Sequence, residues 1–184
     1  MLSVRTEEII KILKKGGIGV MPTDTVYGLV GSAFSKKAVR RIYRVRRREK
    51  NKPVIVLVSS VEDLKKFGVK VNREHLKILR TLWLAPSRVE GAGPVSVILP
   101  VKGKKFYYIH RGTETIAFRL PAERRLRNFL KKTGPLVAPS ANVAGKPPAA
   151  NVAQAKKYFG DRVDFYLDGG KKSGSPSSVV ALIR

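Results

Sequence analysis

Apolar and polar positions along this chain recur in two periods, and the switches between them mark its elements. Ile9, Ile10, Ile12 and Leu13 lie on one helical face; Thr6 stands before them as an N-cap, Glu7 and Glu8 suit the positive end of the helix dipole, and Lys14, Lys15 and Gly16 close the segment. Ile18 to Met21 reads as a short strand stopped by Pro22. Ser35 caps a second helix that turns Ala38, Val39, Ile42 and Tyr43 inward, and Val54 to Val58 is a strand behind Pro53. Ser60 opens a short helix holding Leu64 and Phe67, and Asn72 a longer one with the face Leu76, Leu79, Leu82 and Trp83. A loop from Pro86 to Gly93 leads to a strand from Val95 to Leu99 ended by Pro100, and a basic turn at Lys102 to Lys105 precedes Phe106 to Ile109. Ile116 to Leu120 is a strand, Leu126, Phe129 and Leu130 mark a helix closed by Gly134, and Leu136 to Ala138 is a strand ended by Pro139. A helix over Val152 to Phe159 stops at Gly160, and Val163 to Leu167 and Ser178 to Ile183 finish as strands. Strands alternating with helices predict an α/β fold with a parallel or mixed sheet. With 184 residues, 43% of them hydrophobic, a single domain over 1–184 is expected.

Two strand exits share one logic. After Pro22, hydroxyls fall at every second position, Thr23, Thr25 and Tyr27, so an extended backbone would point all three to one side. Asp24 then faces the other way, placed to brace the loop through backbone amides, and Gly28 admits a close backbone approach. The second exit, Pro139-Ser140-Ala141-Asn142, again follows an apolar run, with Gly145, Lys146, Pro147 and Pro148 behind it. Both would line one edge of the sheet, where open α/β folds hold ligands. In the strand between, alternation sets Arg119 opposite to Phe118 and Leu120, and a charge so close to a buried strand needs a carboxylate of the protein or of a ligand.

Charge changes the picture most. Lys and Arg number 38 against 13 Asp and Glu, a net charge of +25, which attracts polyanions and makes nucleic acid or a phosphate-rich ligand the expected partner. The densest run, from Lys36 to Lys52, ends at Pro53 and the following strand, and Arg46, Arg48 and Lys52 read as an anion site there. Cysteine is absent, which excludes disulfides, zinc-thiolate sites and thiol nucleophiles. His75 and His110 lack acidic or histidine neighbours at ligand spacing and are assigned neither to metal nor to catalysis. No apolar run reaches the roughly 20 residues of a bilayer span, and the first residues lack the pattern of a signal peptide, so a soluble cytoplasmic protein without a membrane partner is expected.

Pro22-Thr-Asp-Thr-Val-Tyr-Gly-Leu29, the helix through Ile42-Tyr43 into Arg46-x-Arg48 and Lys52-Pro53, Gly93-Pro94-Val95, Ala117-Phe118-Arg119-Leu120-Pro121, Ala138-Pro139-Ser140-Ala141-Asn142 through Gly145-x-Pro147, and Pro176-Ser177-Ser178-Val179-Val180 follow in the order of the YrdC family. The chain resembles that family along its whole length. The resemblance implies a YrdC-like twisted, mixed β-sheet flanked by helices, with a wide basic cavity. It also implies an L-threonylcarbamoyladenylate synthase, a nucleotidyltransferase that makes threonylcarbamoyl-AMP and pyrophosphate from L-threonine, bicarbonate or CO2, and ATP, for the threonylcarbamoyladenosine modification of tRNA. On the family pattern, Arg46, Arg48, Ser140 and Asn142 carry catalysis at the ATP phosphates. Lys52, Pro139, Ser177 and Ser178 complete the ATP site, and Thr23, Thr25, Tyr27 and Arg119 take threonine and the carbamate. Two positions depart from the pattern: Arg46 stands where the family has Lys, and Leu57 where a histidine is frequent.

Such a site, rich in cations and hydroxyls, suits a reaction run by positioning and charge neutralisation. Mg2+ is expected to ride on the ATP oxygens, with no protein metal site, since carboxylates are scarce. RNA, as tRNA or a double-stranded segment, is expected on the basic surface, and a tRNA threonylcarbamoyl-transferase complex is a possible recipient of the product. The alternatives are an RNA-binding module without catalysis, and the related carbamoyl-transfer domain of hydrogenase maturation, whose zinc-binding cysteines this chain lacks.

Overall fold

The computed structural model describes residues 4–84, 94–174 and 177–182. Helix α1 (Val4–Lys14) buries Ile9, Ile10 and Leu13, and it begins ahead of Thr6, which is therefore inside the helix and not its N-cap. Strand β1 (Ile18–Pro22) is followed by a tight turn at 23–26 and by β2 (Tyr27–Ser32), which runs back antiparallel with Ile18 opposite Gly31 and Pro22 opposite Tyr27. The extended backbone expected beyond Pro22 is thus a hairpin, closed by the Thr23 amide donating to the Val26 carbonyl at 3.1 Å.

Helix α2 (Lys36–Arg46) starts as its sequence dictates: Ser35 Oγ accepts the Ala38 amide at 3.1 Å, and Ala38, Val39, Ile42 and Tyr43 turn inward. It lies close over β2 because Gly31 has no side chain; a methyl there would stand 3.1 Å from Ile42 and 3.2 Å from Ala38. Strand β3 (Val56–Leu57) is shorter than the apolar run around it. Residues 61–67 form a 3-10 helix, and Asn72 caps α3 (Arg73–Leu84) by accepting the His75 amide at 2.7 Å. Then come β4 (Val95–Pro100), helical turns at 104–106, α4 (Tyr107–His110), β5 (Thr115–Arg119), α5 (Arg124–Thr133), β6 (Leu136–Val137), α6 (Val152–Phe159), β7 (Phe165–Tyr166) and β8 (Ser178–Ala181). The loop expected from Pro86 to Gly93, Pro176, and the end of the last strand at Ile183 lie outside the described residues.

The eight strands form one mixed sheet in the order β7-β1-β2-β6-β3-β5-β4-β8. Pairs β7–β1, β3–β5 and β4–β8 are parallel and the rest antiparallel. One face is covered by α1 and α5, whose Leu13, Phe129 and Leu130 meet Val30, Leu57 and Leu136. The other face carries α2, α3, α4 and α6, with Ile42, Leu79, Ile109 and Phe159 over Val20, Leu29 and Phe118. No helix among the described residues is long and apolar enough to cross a membrane.

Two carboxylates staple this framework. Asp164 accepts the Ile18 amide at 2.7 Å and pairs with Arg41 at 2.5 Å, joining β1, α2 and the approach to β7. Asp63 accepts the amide and hydroxyl of Ser59 at 2.8 and 2.7 Å and pairs with Lys66 at 2.6 Å, which fixes the chain after β3 in place of the Ser60 cap. Burial raises both carboxyls, but these donors together outweigh it and hold each below the usual carboxylate range. A folded-state pKa below the unfolded one means the unfolded chain binds more protons as pH falls, so this stability is present above about pH 4 and lost below it. Asp63→Asn is expected to lower the urea-unfolding stability at pH 7 by about 1–3 kcal/mol and to flatten the loss on going to pH 3.

Candidate active site at the strand exits

The two strand exits meet along the start of β2. Leu29 donates its amide to the Pro139 carbonyl at 2.9 Å and Ala141 to the Tyr27 carbonyl at 2.7 Å, with Gly28 opposite Ser140. A side chain at Gly28 would stand 3.0 Å from Thr23, so the close approach read from the sequence is realised. From the far side arrive the end of β5 at Arg119, the approach to β3 at Pro53 to Ile55, and β8 with Ser177 and Val179. Together these enclose a cavity of about 230 Å³ lined by Thr23, Thr25, Arg46, Arg48, Arg119, Pro139, Ser140 and Ser177 among others.

Arg46 is the last residue of α2 and is only 4% exposed. Its Nε donates to the Asn142 carbonyl at 3.0 Å, and Nη2 to Asn142 Oδ1 at 2.7 Å and Ser140 Oγ at 3.3 Å, while Nη1 is buried without a partner. Every acceptor is neutral, so burial, helped by the nearby positive charge of Arg48, lowers its pKa to about 10. Arg47 takes a left-handed conformation, φ 51°, which ends the helix and swings Arg48 back to donate to the Pro53 carbonyl at 2.7 Å.

Arg119 is 2% exposed at the other end of the cavity. Its Nη2 lies 3.0 Å from Asp24 Oδ1 and donates to Thr23 Oγ1 at 3.4 Å, and its Nε is buried without a partner. Burial lowers its pKa and Asp24 opposes that shift. Of the partners open at the sequence level, the protein itself supplies the carboxylate. Asp24 does not brace the loop through amides: the Thr25 amide goes to Thr23 Oγ1 at 3.3 Å, and the Asp24 side chain turns to Arg119. The reason is the hairpin, which breaks the alternation on which the outward phase of Asp24 rested. Thr23 and Thr25 still meet, with their hydroxyls 3.1 Å apart.

Four predicted residues, Tyr27, Lys52, Ser178 and Asn142, stand outside the lining. Tyr27 is fully buried behind the turn; its hydroxyl donates to the Gly170 carbonyl at 2.7 Å, lies 3.2 Å from Asp168 and accepts the Gly169 amide at 2.9 Å. Burial raises its pKa, and the phenol serves as a tie to the segment 168–174. That segment rests on the turn at Gly174, where a methyl would fall 2.4 Å from the Thr25 carbonyl oxygen. Lys52 points away and pairs with Glu49 at 2.6 Å with its side chain 57% exposed. Ser178 is exposed on β8, one residue past Ser177. Asn142 reaches the site through its Oδ1, which accepts from Arg46 Nη2 and from Ser140 Oγ at 2.7 Å each, while its amide donates to the Lys146 and Val143 carbonyls at 2.6 and 3.2 Å. Leu57 is buried against the α1 and α5 face, away from the cavity. Sequence reading missed Ser96, fully buried in β4, whose hydroxyl lies 2.9 Å from that of Ser177; the signal was a lone hydroxyl inside the apolar run Val95 to Leu99. Among the described residues no group of three or more His, Cys, Asp or Glu side chains could hold a metal ion.

The molecule is an α/β protein with one mixed sheet and a cavity at its strand exits, walled by two buried arginines and by hydroxyls, with no carboxylate among its lining residues. The model of the Sua5/YciO/YrdC family, described as "Telomere recombination", matches residues 11–184, and the chain belongs to that family. It is 30% identical over 172 residues to the threonylcarbamoyl-AMP synthase of Pyrococcus abyssi, covering 92% of this chain and 48% of that protein. With the threonylcarbamoyl-AMP synthase of Nitrosococcus oceani it shares 29% identity over 172 residues, 92% of this chain and 88% of the relative. The crystal structure of P. abyssi Sua5 complexed with L-threonine superposes with a TM-score of 0.83 at 28% identity, over 97% of this chain and 51% of that one. The chain thus spans about half the length of the Pyrococcus relative it matches.

Tyr27→Phe leaves the cavity wall in place and removes only the tie behind it. It is expected to cost about 1 kcal/mol of stability. Amide hydrogen exchange at Gly169 and Gly170 should accelerate, while inorganic pyrophosphate binding stays unchanged.

Proposed function

We propose that this chain carries the threonylcarbamoyl-AMP synthase reaction, with L-threonine, CO2 or bicarbonate, and MgATP as substrates. The observation that carries the reading is the pair of buried arginines at opposite ends of one hydroxyl-lined cavity, each with an N–H left unpartnered beside it. Family membership and the threonine-bound Pyrococcus structure support it.

At one end, Arg119 with Thr23 and Thr25 receives the amino acid. The neutral amine of threonine attacks CO2 and gives up a proton, forming a carbamate. At the other end, Arg46, Arg48 and Ser140 hold the triphosphate, with Pro139 and Ser177 bordering the nucleotide. A carbamate oxygen attacks the α-phosphorus, the bond from that phosphorus to the bridging oxygen breaks, and pyrophosphate leaves with the electron pair. No protein nucleophile is needed. The work of the chain is to hold two anions in line and offset charge on the leaving group. Mg2+ enters with ATP, held by phosphate oxygens: among the described residues the acid beside the cavity, Asp24, is engaged by Arg119. Asn142 is a positioning residue that acts through Arg46.

Incubation with ATP, Mg2+ and labelled bicarbonate should yield pyrophosphate and a threonylcarbamoyl adenylate by mass spectrometry only when L-threonine is present. Release that ignores threonine, or no release, rules the reading out. Arg48→Ala and Arg119→Ala should each lower kcat/KM by roughly 10²–10³ while far-ultraviolet dichroism is unchanged, the scale of removing one charge-stabilising donor.

The net charge of +25, with Lys36, Lys37, Arg40 and Arg44 exposed along α2, favours RNA as the polyanion met by the outer surface. Binding of tRNA in a filter assay should weaken steeply between about 50 and 200 mM salt, as counterion release requires. RNA binding with no ATP turnover would favour the non-catalytic alternative.

A further inference from the structure

The two cationic ends of the cavity are not electrically alike. Arg46 meets only neutral oxygens and has Arg48 beside it, so its charge is uncompensated. Arg119 has Asp24 at 3.0 Å, with both side chains buried, 3% and 5% exposed. Among the described residues neither Asp24 oxygen takes a hydrogen bond, and the ion pair with Arg119 is the interaction that accounts for turning this acid inward. A buried acid with nothing else to hold acts chiefly through its charge.

We propose that Asp24 sets the specificity of the cavity: by compensating Arg119 it keeps phosphate groups off that end, so that polyanions bind only against Arg46 and Arg48. A ligand carrying both an anionic and a cationic group, with no net charge, is then the one accepted beside Arg119. The identification of that ligand with a free amino acid rests on the reading above; the exclusion of phosphate does not. Without Asp24, Arg119 becomes a bare buried guanidinium whose planar fork fits phosphate as well as carboxylate.

Titration calorimetry with inorganic pyrophosphate is expected to give one site per chain in the parent protein and in Asp24→Glu, and two in Asp24→Asn and Asp24→Ser. The double variant D24N/R119M should return to one. In the parent protein, saturating pyrophosphate should leave threonine affinity unchanged; in Asp24→Asn it should weaken it at least tenfold. One site in both folded charge-removing variants overturns the proposal. So does competition between pyrophosphate and threonine in the parent protein, a measurement that needs no variant to fold. A parent protein that binds pyrophosphate but no threonine would count against the synthase reading, while the site count still decides the role of Asp24.

Discussion

The buried charge of Arg46 is the constraint from which the site is built. A guanidinium withdrawn from water with no carboxylate at hand must be met by oxygens, and here all of them are neutral. The loop after β6 is folded to present them. Ser140 donates to Asn142 Oδ1 at 2.7 Å, the Asn142 amide is anchored on Lys146, and the Ala144 amide returns to the Arg46 carbonyl at 2.8 Å. The same residue ends α2 and so determines where Arg48 is aimed. One uncompensated cation thus shapes two loops from distant parts of the chain, and its Nη1 stays buried without a partner.

The sheet supplies what such a site cannot: rigidity. Gly31 lets α2 settle onto β2, and Asp164 clamps α2 to β1, so the helix end that carries Arg46 is held from below and behind. Arg119 is fixed differently, by the pairing of β5 with β3, where Arg119 stands opposite Leu57. Leu57 anchors that strand in the core face under α1 and α5, which is why its departure from the family pattern leaves the cavity wall untouched.

Where a local rule and the tertiary contact agree, the sequence was legible. Ser35 and the spacing of Ala38, Val39, Ile42 and Tyr43 define α2, and the last helix runs from Val152 to Phe159 as its pattern predicts. The convergence of the two proline-stopped exits was also readable, because proline ends a ladder wherever it falls. The turn at 23–26 was not. Hydroxyls at every second position fit a strand as well as a reversal, and only pairing with β2 decides between them. The place of Tyr27 behind the turn is hidden for the same reason, its partners lying 141 to 143 residues away. The family motif sets Lys52 at the phosphates, while in the structure it pairs with Glu49, three residues earlier, a local charge pair the sequence also offers.

The tie from Tyr27 to the segment 168–174 has a consequence for the order in which the molecule comes into being. The turn at 23–26 is made before what seats it: the residues that hold Tyr27, and the Ser177 of the cavity lining, come at least 140 residues later. Contacts of such separation close slowly and late. A nascent chain can therefore assemble most of the sheet while the cavity still lacks the part of its lining that β8 brings beside β4.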